Sequence, residues 1–292
     1  MEILCFMNSK VRVARLSILS NSFLILLKLL AGVFSGSVSI ISEAIHSFMD
    51  LLAAVIAFFS VRISDTPADE QHPYGHGKFE NISGVVEALL IFIAAFWIIY
   101  EAVKKIIQPS EVEDVGIGLG FGVMIISAVV NIIVSKKLYR VAKKTESVAL
   151  EADALHLKTD VITSLGVAIG LALIYITGIH LLDPIIAILV ALLILKESYD
   201  LFSKAFSPLL DTALPSEEID SIKSILQQYC SENMSYHNLR TRKAGNYKYI
   251  DFHLNLDEDL TVKEAHSICD RIENEIKRAV SKAEITIHVE NF

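Results

Sequence analysis

Hydrophobic residues dominate the first two thirds of this chain, where they form six long runs separated by short polar segments. A run of about 20 apolar residues is long enough for a helix to cross a bilayer. We place the six helices at residues 16–34, 38–63, 82–107, 115–138, 148–177 and 181–206. The pattern therefore predicts an α-helical membrane bundle of six transmembrane helices in residues 1–207.

Residues 208–292 follow a different pattern, which predicts a second domain. Helical spacing over 216–230 and 261–280 is interleaved with three strand-like segments at 234–245, 247–257 and 284–290. We expect a small α+β domain of order αββαβ, similar to a metallochaperone.

Short local motifs add detail to the prediction for this second domain. The Gly245-Asn246 pair between the first two strand segments is typical of a hairpin turn, and Thr261 followed by Glu264 predicts a capping box. Alternation of apolar and polar residues predicts a sheet with one face packed on the helices. The other face then carries His253, His288 and Glu290.

The composition supports a membrane protein, because 53% of the 292 residues are apolar. The formal net charge of −8 argues against nucleic acid as a partner. Basic residues cluster before the first helix and between the fourth and fifth: Lys10, Arg12, Arg15, Lys136, Lys137, Arg140, Lys143 and Lys144. By the positive-inside rule we expect both termini in the cytoplasm and the chain in the cell (plasma or inner) membrane, surrounded by lipid.

Two predicted membrane helices carry the same pair of ionisable residues. His46 and Asp50 are four residues apart, as are His156 and Asp160, so each pair lies on one helix face. Such groups cost a few kcal/mol each inside a membrane and face a partner, a cavity or an ion. The second and fifth helices run in opposite directions, which places His46 level with Asp160 and Asp50 level with His156.

Two imidazoles and two carboxylates form a ligand set that tetrahedral Zn²⁺ accepts. The alternative is that each pair forms only a local hydrogen bond within its own helix. Protons and metal compete for these side chains, which is what an antiporter requires. We therefore expect a transporter and not an enzyme. The alternatives are a membrane-anchored metal sensor and an intramembrane metal-dependent hydrolase, which needs an open coordination position.

A further candidate site lies between the second and third predicted helices. Asp69, His72 and His76 offer three ligands within eight residues, and Gly75 and Gly77 allow the chain to bend. The alternative is a solvated loop with incidental histidines.

Several motifs resemble those of the cation diffusion facilitator family, whose members are dimeric metal-ion/proton antiporters. They are GSVSIISEAIHSFMDLL, DEQHPYGHGKFE, LEADALHLKTD, LLDTALP, HNLRTRKAG, FHLNL and TIHVE. The resemblance implies a transport site at His46, Asp50, His156 and Asp160, and a second metal site in the loop. Bacterial zinc members often carry aspartate at the position of His46. The histidine brings this chain closer to the double HxxxD form that the family associates with zinc transport, and it makes manganese, whose relatives favour more carboxylates, a less favoured substrate.

The resemblance also implies two features outside the membrane helices. A pair of metal ions is expected at the dimer interface of the second domain, held by His237, His253, His266, His288 and Glu290. Lys78 and Asp211 match a pair that interlocks the two protomers. We therefore expect a homodimer that exports Zn²⁺, or another divalent transition metal ion, in exchange for protons by alternating access.

Overall fold

The computed structural model describes residues 2–35, 38–108, 117–177, 181–231 and 233–291. These residues form six long helices in the predicted order: α1 (Glu2–Ser35), α2 (Val38–Ser64), α3 (Lys78–Ile107), α4 (Ile117–Thr145), α5 (Val148–Thr177) and α6 (Leu182–Phe206). Helix α1 begins well before the predicted start at residue 16. The basic segment continues the helix because no glycine or proline interrupts residues 2–31.

Two described segments are long and apolar enough to cross a membrane by themselves. They are Ser9–Ala31 within α1 and Lys78–Lys104 within α3. Among the described residues, two of the six helices thus contain a segment of sufficient length and hydropathy. The count of six spans stays a prediction.

The chain divides into two compact units. The helical unit comprises Met1–Gly75 and Phe79–Phe206, and the sheet unit comprises His76–Lys78 and Ser207–Phe292. The short segment that follows the loop after α2 is therefore part of the sheet unit.

Helix α5 lies at the centre of the helical unit, with an apolar cluster on each side. One cluster joins it to α1, α2 and α4, and includes Ala14, Val61, Leu138, Ala149, Ala154 and Leu157. The other joins it to α3 and α6, and includes Ala88, Ile91, Val148, Ala152, Ile194 and Ala205. The many alanines allow close helix packing. Because both sides of α5 are packed, the backbone that carries its polar side chains is held in place.

The sheet unit begins with a short 3₁₀ helix (Ser207–Leu210). It continues with α7 (Ser216–Tyr229), β1 (Met234–Ala244), β2 (Tyr247–Leu256), α8 (Val262–Ala279) and β3 (Ala283–Asn291). The strand order is β1-β2-β3, with β1 antiparallel and β3 parallel to β2. The predicted order αββαβ is confirmed.

The core of the sheet unit lies between one face of the sheet and the two helices. Alternate residues of β2 are buried there with helical side chains: Ile250, Phe252, Leu254, Leu256, Ile222, Leu226, Ile272 and Ile276. Thr261 and Glu264 form the predicted capping box of α8. Gly245 has φ +60° at the predicted hairpin turn, a conformation that glycine adopts without strain.

Candidate metal centre

A buried aspartate and a partly buried histidine meet between α2 and α5. Asp50 Oδ1 lies 3.0 Å from His156 Nε2, and their side chains are only 7% and 12% exposed. Helical periodicity and opposite helix directions predict these two residues at the same level, and they are in hydrogen-bond contact. The contact joins two residues that are 106 positions apart in sequence.

Asp160, one turn further along α5, completes a cluster of three. One ligand atom from each of Asp50, His156 and Asp160 lies within 4.8 Å of the others. Ligands of tetrahedral zinc are about 3.4 Å apart, given bond lengths of about 2.1 Å. Small side-chain movements would therefore suffice to bring all three onto one ion. The side chain of His46 lies outside the described residues, so its membership stays a prediction.

Hydrogen bonds from neighbouring helices hold the helices that carry this cluster. Asn21 Nδ2 on α1 donates to the Asp50 carbonyl at 3.5 Å. Ser135 Oγ on α4 donates to the Ala154 carbonyl at 2.7 Å. Both acceptors are backbone atoms, so the contacts fix the helices and leave the ligand side chains free to bind.

Two further carboxylates beside this cluster were not singled out by sequence reasoning. Glu87 on α3 is 0% exposed and Asp153 on α5 is 1% exposed. Each interacts electrostatically with His156. Ser17 Oγ donates to Asp153 Oδ1 at 3.1 Å, and Ser83 Oγ lies 3.4 Å from Glu87 Oε1. Their signal in the sequence is an acid between two apolar residues, and the serine hydroxyls supply the polar partners that a buried carboxyl group needs.

The loop before α3 gathers its three candidate ligands as well. Asp69 Oδ1 accepts hydrogen bonds from the backbone N–H groups of Gln71 and His72 at 2.9 and 2.7 Å. Asp69, His72 and His76 each offer an atom within 4.8 Å of the other two. Gly75 has φ +77° and supplies the bend. We call residues 69–76 the ligand loop; metal binding there stays a prediction.

Three histidines form a row across the free face of the sheet. His237, His253 and His288 are register partners on β1, β2 and β3. Their neighbouring rings are 5.0 and 4.9 Å apart. Such spacing leaves room for a metal ion between side chains of adjacent strands.

Glu290 stands beside this row and contacts all three rings. Its carboxylate oxygens lie 3.0 Å from His253 Nδ1, 3.4 Å from His237 Nε2 and 3.5 Å from His288 Nε2. One ligand atom from each of His237, His253 and Glu290 lies within 4.8 Å of the others. The predicted free face of the sheet is confirmed, while its occupation by metal stays a prediction.

His266 is not brought to this row within one chain. It lies on α8, where its Nε2 is 3.7 Å from Asp270 Oδ1 and its side chain is 76% exposed. Its predicted role at a dimer interface stays a prediction.

Lys78 and Asp211 form an ion pair within the sheet unit. Lys78 Nζ donates to Asp211 Oδ1 at 2.9 Å, and Arg242 Nη1 lies 3.5 Å from the same oxygen. The hydrogen bond from Lys78, with the charge of Arg242, lowers the pKa of the Asp211 carboxyl. The pair described here lies in one chain, and its predicted role between protomers stays a prediction.

Comparison with known proteins accounts for both units. The family model for the cation efflux transmembrane domain matches residues 14–210, and the model for the cation efflux protein cytoplasmic domain matches residues 214–292. The chain thus has a helical transmembrane domain followed by a cytoplasmic domain with a small three-stranded sheet.

Individual relatives match over most of their length. An uncharacterized transporter of Synechocystis is 36% identical over 90% of this chain and 84% of its own. The cation-efflux pump FieF of Shewanella oneidensis is 34% identical over 94% and 92%. The metal-bound C-terminal domain of the CzcD transporter from Thermotoga maritima is 28% identical, with a TM-score of 0.24 over 26% of this chain and 87% of that one. The chain belongs to the cation diffusion facilitator family and is a cation efflux transporter, not an enzyme.

Proposed function

We propose that this protein is a homodimeric Zn²⁺/H⁺ antiporter that removes zinc from the cytoplasm. The observation that carries the proposal is the cluster of buried Asp50 with partly buried His156 and Asp160 between two membrane helices. Buried ionisable groups in a membrane domain persist where they bind an ion or a partner. With His46 as the fourth ligand, the set is two imidazoles and two carboxylates.

The ligand chemistry favours zinc among divalent cations. Imidazole nitrogen and carboxylate oxygen suit tetrahedral Zn²⁺, whereas Mg²⁺ and Ca²⁺ prefer sets made of oxygen alone. Other divalent transition metal ions share this preference in part and are expected as weaker or alternative substrates. No position in the four-residue set is reserved for water, which suits transport.

Proton coupling follows from the contact between His156 and Asp50. At 3.0 Å, Nε2 of His156 shares a proton with the Asp50 carboxylate when no metal is bound. A metal ion needs the lone pair of that nitrogen and the charge of that carboxylate, so the second proton of the doubly protonated imidazole must leave as the ion arrives. Alternating access then releases the ion on the other side, where protons return.

The two other clusters have supporting roles in this proposal. The ligand loop captures metal on the cytoplasmic side, with both termini also in the cytoplasm. Metal at the row on the sheet favours the association of the two cytoplasmic domains. It activates transport to the extent that the metal binds one conformation more tightly than the other.

The experiment is ion-resolved transport in proteoliposomes with an imposed pH gradient. We expect zinc uptake coupled to proton efflux in the wild-type protein, and neither in Asp50→Ala or Asp160→Ala. Asp200→Ala is the matched control, since it removes an exposed aspartate of α6. Size-exclusion chromatography should show the same folded dimer for all variants. Unchanged flux in both site variants would reject the transport site.

A further inference from the structure

A buried lysine joins the two ends of the ligand loop. Lys10 on α1 is 2% exposed, and its Nζ lies 3.0 Å from Asp65 Oδ1 and 2.7 Å from Glu80 Oε1. Asp65 lies four residues before the ligand loop, and Glu80 lies four residues after it. The chain on either side of the three candidate ligands is therefore fixed on one ammonium group.

Glu80 is the centre of a larger set of contacts. Its Oε1 also accepts a hydrogen bond from Ser64 Oγ at 2.8 Å, and its Oε2 accepts one from Ser147 Oγ. Ser147 Oγ in turn lies 3.4 Å from the backbone N of Leu150, in the first turn of α5. We call Lys10, Ser64, Asp65, Glu80 and Ser147 the loop clamp.

The loop clamp joins four helices at one end of the helical unit. Lys10 comes from α1, and Ser64 is the last residue of α2. Glu80 lies in the first turn of α3, and Ser147 immediately precedes α5. The clamp therefore fixes the ends of the ligand loop relative to α5, the helix that carries His156 and Asp160.

The loop clamp is buried, and this indicates that its charged groups serve to orient the two loop ends. Glu80 is 1% exposed, and removing such charges from water costs several kcal/mol per ion, which only close and well-directed contacts offset. Apolar side chains of similar volume would stabilise the same junction at lower cost. Hydrogen bonds and ion pairs are directional, so this set defines the separation and orientation of the two loop ends.

We propose that Lys10 and Glu80 are positioning residues for metal capture by the ligand loop. By fixing both ends of the loop, they hold Asp69, His72 and His76 ready to bind a divalent transition metal ion. The inference rests on the proposed function of that loop. Preorganised ligands lose less conformational freedom on binding, so loosening the ends should weaken affinity. Groups that orient metal ligands typically contribute 10–100-fold, and we expect about tenfold here.

The test measures Co²⁺ affinity of the full-length protein by its absorption spectrum. A background of Asp160→Ala with His253→Ala disables the other two clusters and leaves the ligand loop. In this first background, Lys10→Met should weaken Co²⁺ binding by the ligand loop about tenfold. In a second background, Asp160→Ala with His72→Ala, the same change should leave binding at the sheet row unaltered.

Lys204→Met is the matched control, because it removes a lysine that pairs with Glu151 in the same helical unit. It should alter neither affinity. In transport assays of the otherwise wild-type protein, Lys10→Met should raise KM for the metal and leave kcat unchanged.

Several outcomes would overturn the proposal. Unchanged loop affinity in Lys10→Met, or equal losses at the loop and at the sheet row, would show that the clamp has no specific role in capture. If Lys10→Met does not fold, Asp65→Ala decides, since it retains the contact between Lys10 and Glu80 and removes the side chain that holds one loop end. Unchanged loop affinity in that variant would also overturn it. Absence of any binding in the first background would instead reject the loop as a metal site.

Discussion

The two domains contain histidine and carboxylate clusters of similar chemistry in opposite surroundings. In the helical unit the side chains of Asp50 and His156 are 7% and 12% exposed. In the sheet unit the side chains of His237, His253 and Glu290 are 49%, 23% and 34% exposed. In each cluster one ligand atom per residue lies within 4.8 Å of the others. Burial is what distinguishes them.

The difference in burial predicts that the two clusters have different functions. A buried cluster cannot carry uncompensated charge, so metal and protons must replace each other there. Water screens the exposed cluster, which can gain or lose a metal ion without an obligatory exchange of protons. The first arrangement suits coupled transport, and the second suits a response to the cytoplasmic metal concentration.

The largest expected effect comes from neutralising one carboxylate in each cluster without changing its shape. Asp50→Asn should reduce proton-driven zinc flux in proteoliposomes to the level of protein-free vesicles, because the amide binds neither the exchanged proton nor the metal as a carboxylate does. Glu290→Gln should retain flux at saturating zinc and alter only its dependence on metal concentration. Comparable losses in both variants would contradict the division of roles.

The second prediction compares ion pairs in the two units. Glu80→Ala removes one of the two carboxylates that contact buried Lys10 and leaves Asp65 as the other, which should lower the free energy of unfolding by about 1–3 kcal/mol. Lys78→Ala breaks a pair whose side chains are 38% and 52% exposed, and should cost no more than about 1 kcal/mol. Thermal unfolding in detergent, followed by intrinsic fluorescence, measures both. Similar costs for the two variants would show that burial does not decide the strength of these pairs.

Helical periodicity and strand alternation were sufficient to predict much of this molecule. The pairing of Asp50 with His156 follows from a four-residue spacing and two opposed helices. The hairpin at Gly245 and the capping box at Thr261 follow from local chemistry. Each of these features depends on residues close in sequence or on the opposite directions of two membrane helices.

Other features depend on packing that no local pattern contains. The contact of Lys10 with Glu80 joins residues 70 apart, and its existence depends on how α1 and α3 approach. Glu87 and Asp153 lack a repeated spacing that would set them apart from interfacial acids. The histidine row depends on strand register, which shifts between His237 and Arg240.

The third prediction compares the two units at the level of the backbone. A Cβ at Gly77 would lie 2.3 Å from the Ala244 carbonyl oxygen, too close without movement of the hairpin backbone. Gly77→Ala should therefore cost about 1–3 kcal/mol, as overpacking does. At Gly122, on α4, an added Cβ meets nothing within 4 Å, and alanine favours a helix. Gly122→Ala should be neutral or stabilising in the same unfolding assay; equal losses would contradict the close approach at Gly77.

The smallest expected effect is the pH dependence of the Asp211 pair. The hydrogen bond from Lys78 and the charge of Arg242 lower the pKa of Asp211 below its unfolded value of about 3.9. The pair should therefore stabilise the fold fully above that pH, and lose its contribution as pH falls through the lowered pKa. Because Asp211 is half exposed, the contribution should stay under about 1 kcal/mol.

Asp211→Asn measures this contribution, because the amide keeps the shape of the side chain and removes its titration. The variant should unfold at a slightly lower temperature than the wild-type protein from pH 8 to pH 5. The difference should narrow as pH falls below about 3.9 toward the lowered pKa of Asp211, and it should shrink at high salt. Glu151→Gln, in the helical unit, provides a control for the general effect of losing an ion-paired carboxylate. A difference that persists unchanged at pH 3 would show that Asp211 stabilises the sheet unit through packing and not through its charge. The comparison of buried with exposed ion pairs would then depend on Glu80→Ala and Lys78→Ala alone.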